Sequence, residues 1–96
     1  MEGLSRFDVA AHGDVLMVVV ESDLLPPDPA VVVIPLLADY PAVPHLNPVI
    51  RLGDRDLVLA TRLIAAVRRA RLRRIGSAAA HGDEIVRAVD VLMGGV

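Results

Sequence analysis

The sequence predicts a mainly β fold (α+β), with about five to seven short antiparallel strands and one C-terminal α-helix. Two observations indicate the strands. Val15–Glu21 and Val31–Ile34 are short runs rich in β-branched residues, and glycine turns at Gly13 and Gly53 separate strand-like segments. The third observation is the helical spacing of apolar residues after Asp83. Together they predict a partly open barrel or a sandwich capped by a helix.

The N-terminal segment is predicted to form a β-hairpin followed by a loop. Phe7–Ala11 alternates in the manner of a strand, and the turn at Gly13 joins it to Val15–Glu21. The second run is apolar on both faces, which is typical of a buried strand. Ser22–Pro29 contains three prolines, each lacking a backbone donor, so we expect a loop there.

The middle of the chain is predicted to contain a buried strand, an excursion and a second hairpin. Val31–Ile34 is expected to be a strand that Pro35 ends. Leu36–Pro48 holds three more prolines, too closely spaced for a helix, and is expected to pack over the barrel with short edge strands. Val49–Leu52 and Arg55–Thr61 flank a Gly-Asp turn and are predicted to pair.

The segment Thr61–Ile75 has two interpretations. It is rich in Ala, Leu and Arg, which favour a helix by intrinsic propensity. Its arginines, however, would spread around such a helix and leave no clean apolar face, so a short strand with a bulge near Leu72 is the alternative.

The last stretch, Asp83–Val96, is predicted to be an amphipathic helix spanning about residues 82–94. Its carboxylates at the start suit the positive end of the helix dipole, and Gly94 and Gly95 suit its end. The chain would then end in an apolar tip, which either packs against the rest of the fold or protrudes toward a partner. The predicted apolar stripe consists of Ile85, Val86, Val89, Leu92, Met93 and Val96.

Length and composition suggest one domain over residues 1–96, β-rich across 6–75. Hydrophobic residues make up 54% of the chain, which indicates a globular protein, but aromatics are only 2%, so base-stacking platforms for nucleic acid are not expected. The absence of cysteine excludes disulfides and thiolate metal sites. No signal peptide or membrane-spanning run is evident, so a cytoplasmic location is expected.

The strongest polar feature is a cluster of arginines in a chain whose charge is unevenly distributed. Residues 1–47 carry seven acids and one base, whereas residues 48–96 carry nine arginines and five acids. The cluster could be a docking surface for acidic protein segments or for a phosphate backbone, or simply a solvated face. It consists of Arg68, Arg69, Arg71, Arg73 and Arg74.

No catalytic, metal or cofactor site is predicted. The three histidines, His12, His45 and His81, lack metal-ligand spacing, and the hydroxyl residues have no sequence-visible base. Asp54 and Asp56 flank a hairpin turn, where a structural role explains them better than acid–base chemistry. These residues favour a protein that acts by binding and not as an enzyme.

Several motifs follow one another in a fixed order along the chain. They are Phe7-Asp8-Val9, Val20–Leu25, Val33–Leu36, Leu46, Pro48-Val49, Leu52-Gly53-Asp54, Ile75-Gly76, Ile85, Ala88, Val89, Leu92, Gly95 and Val96. In this order they resemble the CcdB family of gyrase-poisoning toxins from type II toxin–antitoxin modules. The resemblance covers essentially the whole chain, up to its last residue.

The resemblance implies a small SH3-like β-barrel with a C-terminal helix, a homodimer, and a loop and strand over Arg68–Ile75. It implies that the C-terminal residues, here Met93, Gly94, Gly95 and Val96, enter a cavity of the DNA gyrase A subunit. It also implies a cognate antitoxin, acidic and partly disordered, which we expect on the five clustered arginines. No membrane association and no sequence-specific nucleic-acid binding are expected.

One departure from the family motif affects this expectation. The family places an aromatic Phe-Trp pair where this chain has Met93 and Gly94. Because buried aromatic anchors carry much interface energy, gyrase poisoning is predicted to be weak. The alternatives are an RNA-cleaving toxin on the same fold, or a toxin-like protein that binds antitoxin without poisoning gyrase.

Overall fold

The computed structural model describes residues 3–94, which form seven antiparallel β-strands and one α-helix. The sheet runs in the order β4-β5-β3-β2-β1-β7, with β6 also paired to β3, and it curls into a half-barrel. This confirms the predicted mainly β fold with a C-terminal helix. The strands are β1 (Asp8–His12), β2 (Val15–Val19), β3 (Ala30–Leu37), β4 (Val49–Leu52), β5 (Arg55–Leu59), β6 (Ala65–Arg68) and β7 (Arg73–Ser77), and the helix is α1 (Gly82–Leu92).

Both predicted hairpins are confirmed. β1 pairs with β2 and β4 pairs with β5, and the turns between them place Gly13 and Gly53 at a φ of 59°. Residues with a Cβ rarely adopt this left-handed conformation, so glycine suits both turns.

The prediction that Pro35 ends a strand is wrong. β3 continues through Pro35 to Leu37, and Pro35 pairs with Met17 of β2. On its other side β3 pairs with β6 up to Val33 and with β5 from Leu36 onward. Pro35 therefore lies where β3 changes partner. Neither strand pairing needs an N–H at this position, so proline is tolerated there.

The helical interpretation of Thr61–Ile75 is also wrong, and the loop and strand implied by the resemblance are confirmed. The segment contains 3₁₀ turns at Thr61–Leu63 and Arg69–Arg71, with β6 between them and β7 after them. In this arrangement Val67 lies opposite Val31 of β3, and the half-buried Val67 and Leu72 pack against buried valines of the sheet. Leu63 and Ile75 remain exposed. Tertiary contacts have overridden propensity here.

The apolar core lies on both faces of the sheet. The larger cluster includes Ile34, Ile50 and Leu59, and α1 packs onto it through Ile85 and Ala88. The smaller cluster, on the opposite face, consists of the fully buried Val19, Val31 and Val33 under the half-buried Leu4, Met17, Val67 and Leu72. Among the described residues no helix covers this second face.

The helix follows the predicted pattern in most respects. Ile85 is buried and Val86, Val89 and Leu92 are half-buried, but Ala88 is fully buried and was not part of the predicted stripe. Gly94 has a φ of 80° and its amide donates to the Val91 carbonyl, as expected of a glycine that ends a helix. Within residues 3–94 no helix is long and apolar enough to cross a bilayer.

The proline-rich excursion between β3 and β4 is held by a buried polar link. Within it, Val43 and Asn47 form an isolated β-bridge. The buried Asn47 accepts the Thr61 amide at 3.3 Å and donates to the Pro41 carbonyl at 3.2 Å. The Thr61 hydroxyl donates to the Leu46 carbonyl, so two side chains join the excursion to the end of β5.

Candidate functional site

The first candidate surface is the end of α1. Met93 directly follows the helix and is 73% exposed, and Gly94 is exposed as well. At the start of the helix Gly82 is buried next to the Phe7 ring. Among the described residues, the predicted tip is therefore an exposed end of the helix. Gly95 and Val96, the other two predicted tip residues, lie outside the described residues.

The second candidate surface is the arginine cluster, which the structure brings together on one connection. Arg68 ends β6, Arg69 and Arg71 lie in the 3₁₀ turn, and Arg73 and Arg74 begin β7. This connection borders the face of the sheet opposite α1, next to the smaller core cluster.

Arg69 is tied to its own protein. Its side chain is 23% exposed, its Nε donates to the Asp28 carbonyl at 3.1 Å, and its Nη2 lies 3.5 Å from Glu21 Oε2. Glu21 also accepts the Val32 amide at 3.0 Å. Arg69 and Glu21 thus clamp the loop before β3 to the turn after β6, and Arg69 has a structural role within the fold.

Arg74 is likewise paired, with Asp8 of the neighbouring strand β1. Its Nε lies 3.2 Å from Asp8 Oδ2, which also accepts the Ser5 amide at 2.8 Å. The Asp8 carboxylate is almost fully buried, so this arginine compensates a charge within the fold.

The remaining three arginines are available to a partner. Arg68, Arg71 and Arg73 are exposed, and none lies within ion-pair distance of a carboxylate among residues 3–94. The predicted cluster of five is therefore divided by the structure into two structural residues and three that remain open.

A groove of about 790 Å³ runs along the arginine connection. One wall is formed by Gly3 and Leu4 with the loop that precedes β3, and the other wall by the connection itself. The described residues that line it are Gly3, Leu4, Pro27, Asp28, Pro29, Arg68, Arg69, Ala70, Leu72, Arg73 and Arg74. Sequence reasoning missed this groove, because Leu4 and Pro27 are distant in sequence from the arginines.

Two of the residues considered for chemistry, His81 and Asp56, have structural contacts. His81 Nδ1 lies 2.7 Å from Glu84 Oε1, and its Nε2 accepts the Arg51 amide at 3.2 Å, which joins α1 to β4. Asp56 pairs with Arg51 on the surface of the second hairpin. No group of three or more potential metal ligands is found among residues 3–94.

Comparisons with known proteins identify the family. The family model described as CcdB protein matches residues 6–95, nearly the whole chain. A comparison with curated proteins gave no match. The match agrees with a curled β-sheet carrying one helix whose C-terminal end is exposed. The chain therefore belongs to the CcdB family of toxins from toxin–antitoxin modules.

Proposed function

We propose that this protein is a non-enzymatic homodimeric toxin that binds the DNA gyrase A subunit through its C-terminal tip and is neutralised by a cognate antitoxin. The cytoplasm, where gyrase acts, is then its place of action. The observation that carries the proposal is the exposed end of α1, with Met93 73% exposed, in a chain of the CcdB family. An exposed apolar side chain at a helix end is suited to enter a cavity of a partner.

The chemistry of the tip limits the strength of this contact. A tryptophan buries about 150–250 Å², which at about 25 cal/mol per Å² amounts to several kcal/mol. Gly94 contributes almost no apolar side-chain area in its place. Met93 is flexible and fills irregular cavities, but it does not supply a rigid aromatic anchor. We therefore expect the wild-type protein to poison a standard enterobacterial gyrase weakly or not at all.

The test is gyrase-mediated DNA cleavage in vitro by the wild type, by Met93→Phe, and by the double variant Met93→Phe with Gly94→Trp. The double variant should cleave most, because it supplies both aromatics. Gly94 has a φ of 80°, where a tryptophan is strained by about 1–2 kcal/mol, so we expect the restoration to be partial. Met93→Phe leaves this glycine in place and should give an intermediate result.

The control is Asp90→Trp, which adds an indole to an exposed position of α1 before the tip. It should leave cleavage at the wild-type level. Strong cleavage by the wild type would contradict the need for an aromatic. Equal inactivity of all variants, with the protein folded, would contradict gyrase as the target. The alternative would then be a family member that binds antitoxin without poisoning gyrase, which the replacement of the Phe-Trp pair favours.

For neutralisation we propose that the antitoxin's acidic segment contacts the arginine cluster. Arg71 and Arg73 are exposed and free of internal ion pairs among the described residues, so they can form charge-assisted hydrogen bonds with carboxylates. Changing both to Glu should weaken antitoxin binding and reduce its salt dependence. Unchanged affinity in a folded variant would leave the cluster as a solvated face only.

A further inference from the structure

We propose that the groove beside Arg68–Arg74 binds an extended acidic polypeptide segment that inserts one large apolar side chain between Leu4 and Leu72. This inference rests on the proposed function in one respect, namely that the segment belongs to the antitoxin. It adds an apolar anchor to a contact that charge alone would make weak and salt-sensitive.

The floor of the groove is apolar and favours an apolar side chain of the partner. Leu4 and Leu72 are only half-buried, and they are the outer cover of the smaller core cluster. Pro27, Pro29 and Ala70, which complete the apolar lining, are exposed. An apolar side chain placed there would cover the parts of Leu4 and Leu72 that remain exposed to solvent.

The rim of the groove is basic and favours carboxylates of the partner. Four arginines and one aspartate are among the lining residues, and this Asp28 already accepts the Ala30 amide at 2.9 Å. Arg69 is fixed by Glu21, whereas Arg68 and Arg73 are exposed and pair with no carboxylate among the described residues. Two carboxylates flanking the apolar side chain could therefore pair with Arg68 and Arg73.

The neighbouring surface sets the direction of the segment. A smaller hollow of about 290 Å³ adjoins the groove across Leu4, Pro27 and Arg69, and its lining includes Glu21 and Asp23. Carboxylates of a partner would be repelled at that end. The acidic part of the segment must therefore lie along the arginine connection.

A polypeptide fits this groove better than a nucleic acid. Phosphate contacts would use the arginines, but bases need stacking surfaces, and no aromatic residue is among those that line the groove. Proline and leucine side chains provide apolar packing for an aliphatic or aromatic side chain instead.

The experiment measures fluorescence anisotropy with a labelled 12-residue peptide that carries one central Leu flanked by Glu on both sides. Two control peptides replace the Leu by Ser, or every Glu by Gln, and a single-stranded oligonucleotide of twelve thymidines tests phosphate binding. The protein variants are Ala70→Asn in the groove, Arg68→Glu with Arg73→Glu on its rim, and Arg55→Glu as an exposed control outside it. Thermal melts verify that each variant is folded.

The inference predicts three results. The Ser peptide and Ala70→Asn should each weaken binding by about tenfold, because the apolar contact is lost and no charge is added. The rim variant and the Gln peptide should weaken it by about tenfold as well, because ion pairs are lost. Arg55→Glu should change it by less than about twofold.

Two results would overturn the inference. Equal affinity for the Leu and Ser peptides, together with no effect of Ala70→Asn, would mean that charge alone attracts the peptide. Tighter binding of the oligonucleotide than of the peptide would assign the arginines to phosphate. Either result can be separated from a failure of the proposed function, because gyrase cleavage depends on the tip and is measured without the peptide.

Discussion

The clamp formed by Arg69 leads to a prediction about two adjacent arginines. Arg69→Met keeps the aliphatic stem but removes the contacts to the Asp28 carbonyl and to Glu21. Arg68→Met makes the same chemical change one residue earlier, at an exposed side chain without an ion pair among residues 3–94. The two variants differ only in these contacts, so the structure predicts very different effects on stability.

The magnitude follows from the burial of the pair. The Arg69 and Glu21 side chains are 23% and 16% exposed, so the ion pair is worth more than a surface pair. Its 3.5 Å separation is long, however, and the hydrogen bond to the Asp28 carbonyl is the better contact. One hydrogen bond from a charged group contributes about 1.5–3 kcal/mol, so we expect Arg69→Met to lower the free energy of unfolding by about 2 kcal/mol.

The assay is thermal and urea unfolding followed by circular dichroism. In a domain of this size a loss of about 2 kcal/mol corresponds to a decrease in Tm of roughly 8–16 °C. Arg68→Met should stay within about 0.5 kcal/mol of the wild type. Equal Tm values for the two variants would refute the clamp, and the loop before β3 would then be held by other contacts.

Three further predictions concern assembly and packing. The protein should sediment as a homodimer at micromolar concentration, because large apolar side chains such as Leu24, Leu63 and Ile75 are exposed on the single chain, and a 10.2 kDa monomer would contradict this. Thr61→Val should lower the free energy of unfolding by about 1–3 kcal/mol in urea, because it leaves the Leu46 carbonyl without its hydroxyl donor; unchanged stability would contradict the polar link. Gly82→Ala should lower the free energy of unfolding by about 1 kcal/mol despite alanine's helix propensity, because the new Cβ would lie 3.0 Å from Phe7 Cε2. A stabilised variant would show that the Phe7 ring moves to make room for the Cβ.

The hairpins and the helix could be predicted because their signals are local. A glycine that needs a positive φ and the β-branched runs beside it are adjacent in sequence, as at Gly13 and Gly53. The helix carries its own period and its own end signal at Gly94. No distant residue had to be known for either prediction.

The wrong predictions have a common cause. Each depends on which strands pair, and the sequence does not show this pairing. Pro35 is tolerated because β3 changes partner at that point, and this depends on where β5 and β6 lie. The strand at Ala65–Arg68 forms because Val67 is placed opposite Val31, although its local propensity favours a helix. For the same reason the sequence could suggest five clustered arginines, but it could not divide them into structural and open ones.

The acidic and basic halves of the sequence are not separated in the fold. The acidic first half supplies β1 to β3 and the basic second half supplies β4 to β7, and the sheet places strands of the two halves side by side. Asp8 therefore meets Arg74, and Glu21 meets Arg69, across neighbouring elements. These two pairs cancel part of the apparent polarity, and the uncompensated charge of the cluster is confined to Arg68, Arg71 and Arg73 among the described residues. Three exposed arginines attract any acidic partner in a salt-dependent way, and we therefore expect specificity at the groove to come from its apolar anchor.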